Sequence, residues 1–219
     1  MEHFIKFESK ALGQELLDLA AAYKANPSLH AEKGKGKRVG CIFLNPSLRT
    51  RVSTQIAAQQ LGMEAIVLNM DKEGWALELQ EGAIMNKSTV EHIKDAAGVL
   101  GSYFDILAIR AFPSLTQKEE DVTDFVLHQF IKYCKIPVIS LESAIRHPLQ
   151  SLADQLTIQE FATSKNFVIS SSSYEGYPKN TNDFGELFGD AFPCMEFICM
   201  KPEDILRLVI TIIDDSLQR

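Results

Sequence analysis

The sequence predicts an α/β fold: a parallel β-sheet with helices on both faces. Three observations predict it. Short apolar runs of strand length (RVGCIFL, EAIVLNM, FDILAIRAF, IPVISL) alternate with segments whose apolar residues recur at helical spacing. Such alternation is the pattern of a sheet covered on both sides. The polar clusters of the chain fall just after these runs, at the carboxyl ends of the strands, where open α/β sheets bind their ligands.

Each element follows from its own residues. ALGQELLDLAAAYKA, residues 11–25, has the apolar spacing of a helix. The basic turn KGKGKR then leads into a first strand, RVGCIFL. A helix is expected from about Val52 to Leu61, and EAIVLNM forms a second strand. After the loop DKEGWALELQEGAIMNKS comes a helix at 89–101, with Ser88 or Thr89 as its cap. FDILAIRAF is a third strand, 121–133 a helix, IPVISL a fourth strand, and RHPLQSLADQLTIQEF a long helix.

Bulk properties exclude several classes. A chain of 219 residues with 46% hydrophobic and 23% charged residues has the make-up of a soluble globular protein with a substantial core. A net charge of −7 argues against general nucleic-acid binding but leaves room for a local anion site built from a few arginines. MEHFIKFESKALGQ has no apolar stretch of the signal-peptide kind, and no run of about eighteen apolar residues marks a membrane span. Cys41, Cys134, Cys194 and Cys199 form no CxxC pair, so reduced, mostly buried thiols in a cytoplasmic protein are expected.

The stretch FLNPSLRTRVST, residues 43–54, places Ser47, Arg49, Thr50 and Arg51 at a strand-to-helix turn. A helix N-terminus there offers unpaired N–H groups and the positive end of the helix dipole, and guanidinium and hydroxyl donors beside it suit a phosphate. The alternative is an N-cap, Ser47 or Thr50, with arginines that face water. Arg110 ends the third strand in apolar surroundings, as an anion donor or as half of a partly buried salt bridge. Arg146, His147 and Gln150 follow the fourth strand; His147 before Pro148 suits a helix-start residue whose ring bonds the backbone as well as a ligand donor. Together these groups could hold a phosphate and polarise a neighbouring carbonyl oxygen.

SLRTR after FLNP, with HPLQSLAD about a hundred residues later, resembles the carbamoyl-phosphate domain of the transcarbamylases, whose motifs are S-T-R-T-R and H-P-[TCL]-Q-x-L-A-D. Leu48 in the first motif, Trp75, Arg110-Ala111-Phe112 and HPLQ most resemble the N-succinylornithine or N-acetylornithine branch. The resemblance runs from about residue 11 to 160. It implies that Ser47, the Leu48 backbone, Arg49, Thr50 and Arg51 grip the phosphate of carbamoyl phosphate. Arg110 and His147 would reach its carbonyl oxygen, and Gln150 its amide. The δ-amine of an N-acylated ornithine would attack, with no metal or organic cofactor. Trp75 would reach into the site of a neighbouring subunit, implying a homotrimer; its alternative is a core anchor. Glu142 resembles the residue that contacts the substituted amino acid; its alternative is a helix-capping carboxylate. The acyl discriminator of this branch lies directly before Glu91-His92, as Pro in the succinyl type and Glu in the acetyl type. Here it is Val90, which matches neither, though a non-acidic residue leans towards succinyl because Glu would repel a second carboxylate.

The resemblance also implies a second α/β domain with an H-C-L-P motif, and residues 161–219 contain none. That segment offers one strand-like piece, NFVIS, and a C-terminal helix, KPEDILRLVITIIDDSLQR, with Pro202 near its first turn. The expected organisation is therefore a carbamoyl-phosphate-binding domain over 1–160 and a shortened or atypical segment over 161–219. Two functions follow: carbamoyl transfer to an N-acylornithine, or a non-catalytic carbamoyl-phosphate-binding fragment.

Overall fold

The structure, a computed structural model, describes residues 3–70, 76–85 and 89–161. Helix α1 (Lys10–Ala25) starts where the Ser9 side chain accepts from the Leu12 N–H at 3.1 Å, and it buries Leu16, Leu17, Ala20 and Tyr23. Strand β1 (Arg38–Phe43) is buried along all but its first residue. Then follow α2 (Arg49–Gln60), β2 (Glu64–Asn69), the short β3 (Leu77–Glu78) and β4 (Glu91–His92), and α3 (Ile93–Tyr103). The remaining elements are β5 (Ile106–Arg110), α4 (Lys118–Val122), α5 (Phe125–Tyr133), β6 (Val138–Glu142) and α6 (Pro148–Phe161).

Four strands form one parallel sheet in the order β2-β1-β5-β6. Phe4 adds a parallel bridge beside β6, donating to Val138 O and accepting from Ser140 N, each at 2.8 Å. Alternate residues feed opposite faces, as a strand's period of two requires. Val39, Cys41, Phe43, Ile106, Ala108, Ile139 and Leu141 pack with α1, α2 and α6. Ile42, Leu107, Ile109 and Val138 pack with Ile93 and Ala97 of α3 and with Leu127 and Phe130 of α5. The expected α/β fold with helices on both faces is what forms. The chain leaves β1 towards one face and β5 towards the other, so the gap between their carboxyl ends is the topological switch point where such sheets bind ligands.

Three local expectations change. The helix expected from Val52 begins at Arg49, so the two arginines and Thr50 occupy its first turn rather than the preceding loop. The helix expected at 89–101 begins at Ile93, capped by the His92 ring, because residues 91–92 are taken up by β4 pairing in parallel with β3. Thr89, an expected cap, instead lies 3.4 Å from Glu78 through its hydroxyl, and Ser88 is outside the described residues. The helix expected at 121–133 is broken into α4 and α5 by Asp124, whose φ of 50° is left-handed. Asp tolerates that region better than most residues, and here its carboxylate is drawn away to accept from Ser143 Oγ at 2.9 Å. NFVIS, the C-terminal helix over 201–219, Cys194 and Cys199 also lie outside the described residues. No helix among the described residues is long and apolar enough to cross a membrane.

Gly40 marks the tightest approach between β1 and the α3 side of the sheet. A Cβ there would stand 2.6 Å from Phe104 Cδ2 and 2.8 Å from Leu107 Cδ2. Gly40→Ala should therefore overpack this layer and lower stability by about 1–3 kcal/mol, read as an earlier urea midpoint. An unchanged midpoint would mean that the Phe104 ring moves aside without strain.

Candidate functional site

The site is assembled from the carboxyl ends of β1, β5 and β6. After β1 the turn Leu44–Leu48 feeds α2, whose first bond of the i to i−4 kind runs from Val52 N to Leu48 O. The N–H groups before Val52 are the orphan donors of a helix start, and α2 has no side-chain cap on its N-terminal residue, Leu48. Neither Ser47 nor Thr50 thus caps the helix. Arg49 and Arg51 are exposed, Ser47 is half-buried and Thr50 is buried. Leu48 is 80% exposed, so only its backbone can serve a polar ligand here.

Arg110 lies beneath this turn. Its Nη1 donates to Asn45 O at 3.1 Å and Pro46 O at 2.9 Å, and its guanidinium carbon stands 3.8 Å from the centre of the Phe112 ring. A register shift on β6 is what supplies its counter-charge. Ile109 pairs with Ser140, but Arg110 pairs with Glu142, skipping Leu141, whose side chain belongs to the core. The bulge turns Glu142 towards Arg110, and Nη2 meets Glu142 Oε2 at 3.1 Å with both side chains largely buried. Arg110 Nε is buried with no hydrogen-bond partner among the described residues, an uncommon state for a guanidinium donor. The partly buried salt bridge that the sequence suggested for Arg110 is what forms, with Glu142 as its partner.

His147 precedes Pro148, the first residue of α6, and its Nδ1 accepts from the Gln150 N–H at 3.3 Å. Accepting at Nδ1 puts the ring proton of a neutral imidazole on Nε2. Burial, together with the nearby charges of Arg110 and Arg49, depresses the His147 pKa to about 3, so the ring is neutral at ordinary pH. Its Nε2 is 3.8 Å from Glu142 Oε2, beyond hydrogen-bond reach, and a neutral ring forms no ion pair there. One turn along α6, Gln150 Nε2 donates to Asp154 Oδ1 at 2.8 Å, and burial pushes the Asp154 carboxyl up to about 7.

The structure thus brings together the Ser47–Arg51 turn, Arg110, Glu142, His147 and Gln150. Val90 stands elsewhere, beside the two-stranded sheet, with its N–H on Ala76 O and a side chain that is 66% exposed. Trp75 lies outside the described residues. Sequence reasoning did not single out Asn45, whose side chain accepts from Phe112 N at 2.6 Å and ties the β1 turn to the β5 loop. Nor did it single out Asp124 or Asp154. Asp154 had a legible signal, its spacing of four from Gln150 on one helix. Asp124 acts through residues far along the chain and had none.

The chain matches the family model described as aspartate/ornithine carbamoyltransferase, carbamoyl-P binding domain, over residues 3–160. It is 41% identical to the N-acetylornithine carbamoyltransferase of Xanthomonas campestris pv. campestris over 188 residues, covering 83% of this chain and 54% of that protein. It is 45% identical to the N-succinylornithine carbamoyltransferase of Bacteroides fragilis over 132 residues, covering 60% of this chain and 42% of that one. Among solved structures, an N-acetyl-L-ornithine transcarbamylase mutant with glutamate changed to valine, complexed with carbamyl phosphate and N-succinyl-L-norvaline, superposes with a TM-score of 0.71 at 39% identity, covering 78% of this chain and 51% of that one. The chain spans about half the length of the relatives it matches.

His147 is open to direct observation. Nitrogen-15 shifts of its ring should report a neutral imidazole protonated at Nε2 from about pH 8 down to about pH 5, where an ordinary histidine titrates near 6.5. Because the folded value lies below the unfolded one, the ring's contribution to stability is present above about 6.5 and lost as pH falls towards about 3. Titration near the ordinary value would show that burial and the two arginines fail to hold the proton off.

Proposed function

The chain belongs to the aspartate/ornithine carbamoyltransferase family through its carbamoyl-P binding domain, and from that premise we propose that it binds carbamoyl phosphate and transfers the carbamoyl group to the δ-amine of an N-acylornithine. The observation that carries the proposal is the convergence of an uncapped helix start, Arg49, Arg110 and a neutral His147 at the switch point of the sheet. In this reading the phosphate sits on the α2 N-terminus between Ser47, Arg49, Thr50 and Arg51, with the Leu48 N–H facing it. Arg110 and His147 Nε2–H donate to the carbonyl oxygen, and Gln150 meets the amide.

The chemistry then follows from charge. Attack of the amine on the carbonyl carbon moves an electron pair onto the oxygen, where Arg110 and His147 stabilise it; one such donor is worth about 2.7–4 kcal/mol of barrier. The pair returns as the C–O bond to phosphate breaks, and the arginines of α2 take up the charge of the leaving group. The attacking nitrogen loses one proton to give the neutral acylcitrulline. Trp75 would serve the site of a neighbouring subunit in a homotrimer. Val90 favours a succinylated acceptor, since an apolar side chain spares the second carboxylate the repulsion that a glutamate would exert. The solved neighbour with valine in place of glutamate, complexed with N-succinyl-L-norvaline, supports this preference.

One observation favours a second reading, binding without turnover: the residues that match the family, 3–160, are those of its carbamoyl-P binding domain. Holding both reactants in near-attack geometry is worth about 7–11 kcal/mol, more than the carbonyl donors could replace. Two measurements separate the readings. Carbamoyl phosphate at about a hundred times its dissociation constant should stabilise the chain by about 2.7 kcal/mol, and Arg49→Ala should abolish that gain while the fold survives. Persistence of the gain in the variant would remove the phosphate assignment. Radiolabelled carbamoyl phosphate, given N-succinylornithine or N-acetylornithine, should yield acylcitrulline at a rate constant near about 10 per second if the chain is catalytic. Binding without product would instead establish the second reading.

A further inference from the structure

Within the site just proposed, and resting on that reading, we infer that Asn45 is a positioning residue for Arg110: by gripping both ends of Arg110-Ala111-Phe112 it lays the Phe112 ring on the guanidinium, and so aims the guanidinium at a ligand's carbonyl oxygen.

The inference starts from the end of β5. Its ladder to β6 closes with the Ala111 N–H, which donates to Glu142 O at 2.9 Å. The next N–H, that of Phe112, finds its acceptor in the turn after β1 instead, in Asn45 Oδ1 at 2.6 Å. A backbone N–H can only donate, so this contact assigns the amide oxygen of Asn45 to the Phe112 end. The main chain of the same residue holds the other end of the tripeptide, since Asn45 O accepts from Arg110 Nη1 at 3.1 Å. A guanidinium is a plane, and its edge and its face are held by different contacts. Pro46 O, Asn45 O and Glu142 Oε2 hold the edge, at 2.9, 3.1 and 3.1 Å. Such acceptors tolerate a broad range of directions, so the plane can still tilt about them. The Phe112 ring, centred 3.8 Å from Arg110 Cζ, covers a face. There it both attracts the cation and blocks the tilt.

The consequence is selectivity for a carbonyl. A donor held in one plane gains from an oxygen placed in that plane. A saturated isostere leaves the same donor desolvated and unpaired, which is how polar sites reject close analogues. The phosphate end of the ligand, on the α2 turn, does not depend on the tilt. Without the Asn45 side chain the Phe112 N–H must find another acceptor, the ring leaves the guanidinium, and the preference for a carbonyl goes with it.

The test compares two stable phosphonates by calorimetry: acetonylphosphonate, and isobutylphosphonate, the same skeleton with a methyl group in place of the carbonyl oxygen. The unsubstituted chain should favour the carbonyl ligand by about tenfold or more. Asn45→Ala should bring the ratio near one by weakening the carbonyl ligand alone. Asn45→Asp keeps an oxygen for the Phe112 N–H; its added charge should weaken both anions and preserve the ratio. Proton spectra give a second readout. A guanidinium over a ring face is shifted upfield, so the Arg110 side-chain protons should lie upfield of those of Arg49 and Arg51. That shift should vanish in Phe112→Leu and Asn45→Ala and persist in Asn45→Asp. A shift or a ratio that survives Asn45→Ala, equal weakening of both ligands by it, or loss of the ratio in Asn45→Asp would overturn the inference. So would a ratio near one in the unsubstituted chain with both ligands bound, which would leave the phosphate site standing. Binding of neither phosphonate would instead sink the proposed function and this inference with it. Should Asn45→Ala fail to fold, two further measurements decide. The Phe112 N–H of the unsubstituted chain should be protected from exchange, and Phe112→Leu, which keeps that bond and removes the ring, should bring the ratio near one. An unprotected N–H, or an unchanged ratio in Phe112→Leu, would overturn the inference.

Discussion

The buried pair between Arg110 and Glu142 is the constraint on which the rest of the site depends. Two charges taken out of water carry a desolvation penalty that only good geometry offsets, and removing one partner of such a pair costs about 3–5 kcal/mol. The β6 bulge supplies the geometry by bringing Glu142 opposite Arg110 while Leu141 stays in the core. The same guanidinium takes the Asn45 and Pro46 carbonyls, so the charge that faces the site also braces the turn that begins α2. Asn45 closes the ring from its other side by accepting from Phe112, on whose face the guanidinium lies. The β1 turn, the end of β5 and the end of β6 are therefore one hydrogen-bonded unit, and displacing any of them would move Arg110.

Two aspartates outside that ring hold the loops in register. Asp121 accepts from the Ser114 and Leu115 N–H groups at 2.7 and 2.9 Å and so closes the loop after β5. Asp124 accepts from Ser143 Oγ and from Ile145 N and so closes the loop after β6, the one that presents His147. The left-handed backbone of Asp124 is the means by which α4 ends and this carboxylate turns towards β6. Its pKa is raised by burial, with the Ser143 and backbone bonds and the charge of Arg146 acting in the opposite direction. An apolar residue at 124 would ease that desolvation but would leave the backbone donor of Ile145 unmatched, which is the costlier state.

The sheet was legible in the sequence because its strands are runs of apolar residues that no helix period explains, and the order of elements followed from them. The position of the candidate site residues was legible because a polar residue directly after such a run has few places to go except the ligand edge of a parallel sheet. What stayed hidden depended on contacts between distant residues. The start of α2 at Arg49 was masked by a segment whose arginines and threonine read equally as loop or helix. The break at Asp124 was masked by KEEDVTDFVLHQF, whose composition suits one helix, because the force that bends it comes from Ser143. The pairing of β3 with β4 joins two-residue strands too short to leave a period. Glu142 was legible as a candidate, but its role as the partner of Arg110 required the bulge, which no local pattern announces.

A net charge of −7 for the whole chain leaves room for locally positive charge at this edge. Arg49, Arg110 and the α2 N-terminus bring positive charge to the switch point, although solvent reaches Arg49 and Glu142 offsets part of the charge of Arg110. That charge acts on His147 first. A protonated imidazole would add to a like-charged cluster, so the field and the burial expel its proton together and leave a neutral Nε2–H donor. Neutrality would have a chemical use in the proposed carbamoyl transfer. A cationic histidine would bind the ground-state phosphate as well as the developing oxyanion, whereas a neutral N–H gains most where charge accumulates on the oxygen it faces, the condition for speeding a reaction rather than tightening a complex. The arginines that would grip the leaving group therefore also set the protonation state of the residue that would polarise the carbonyl.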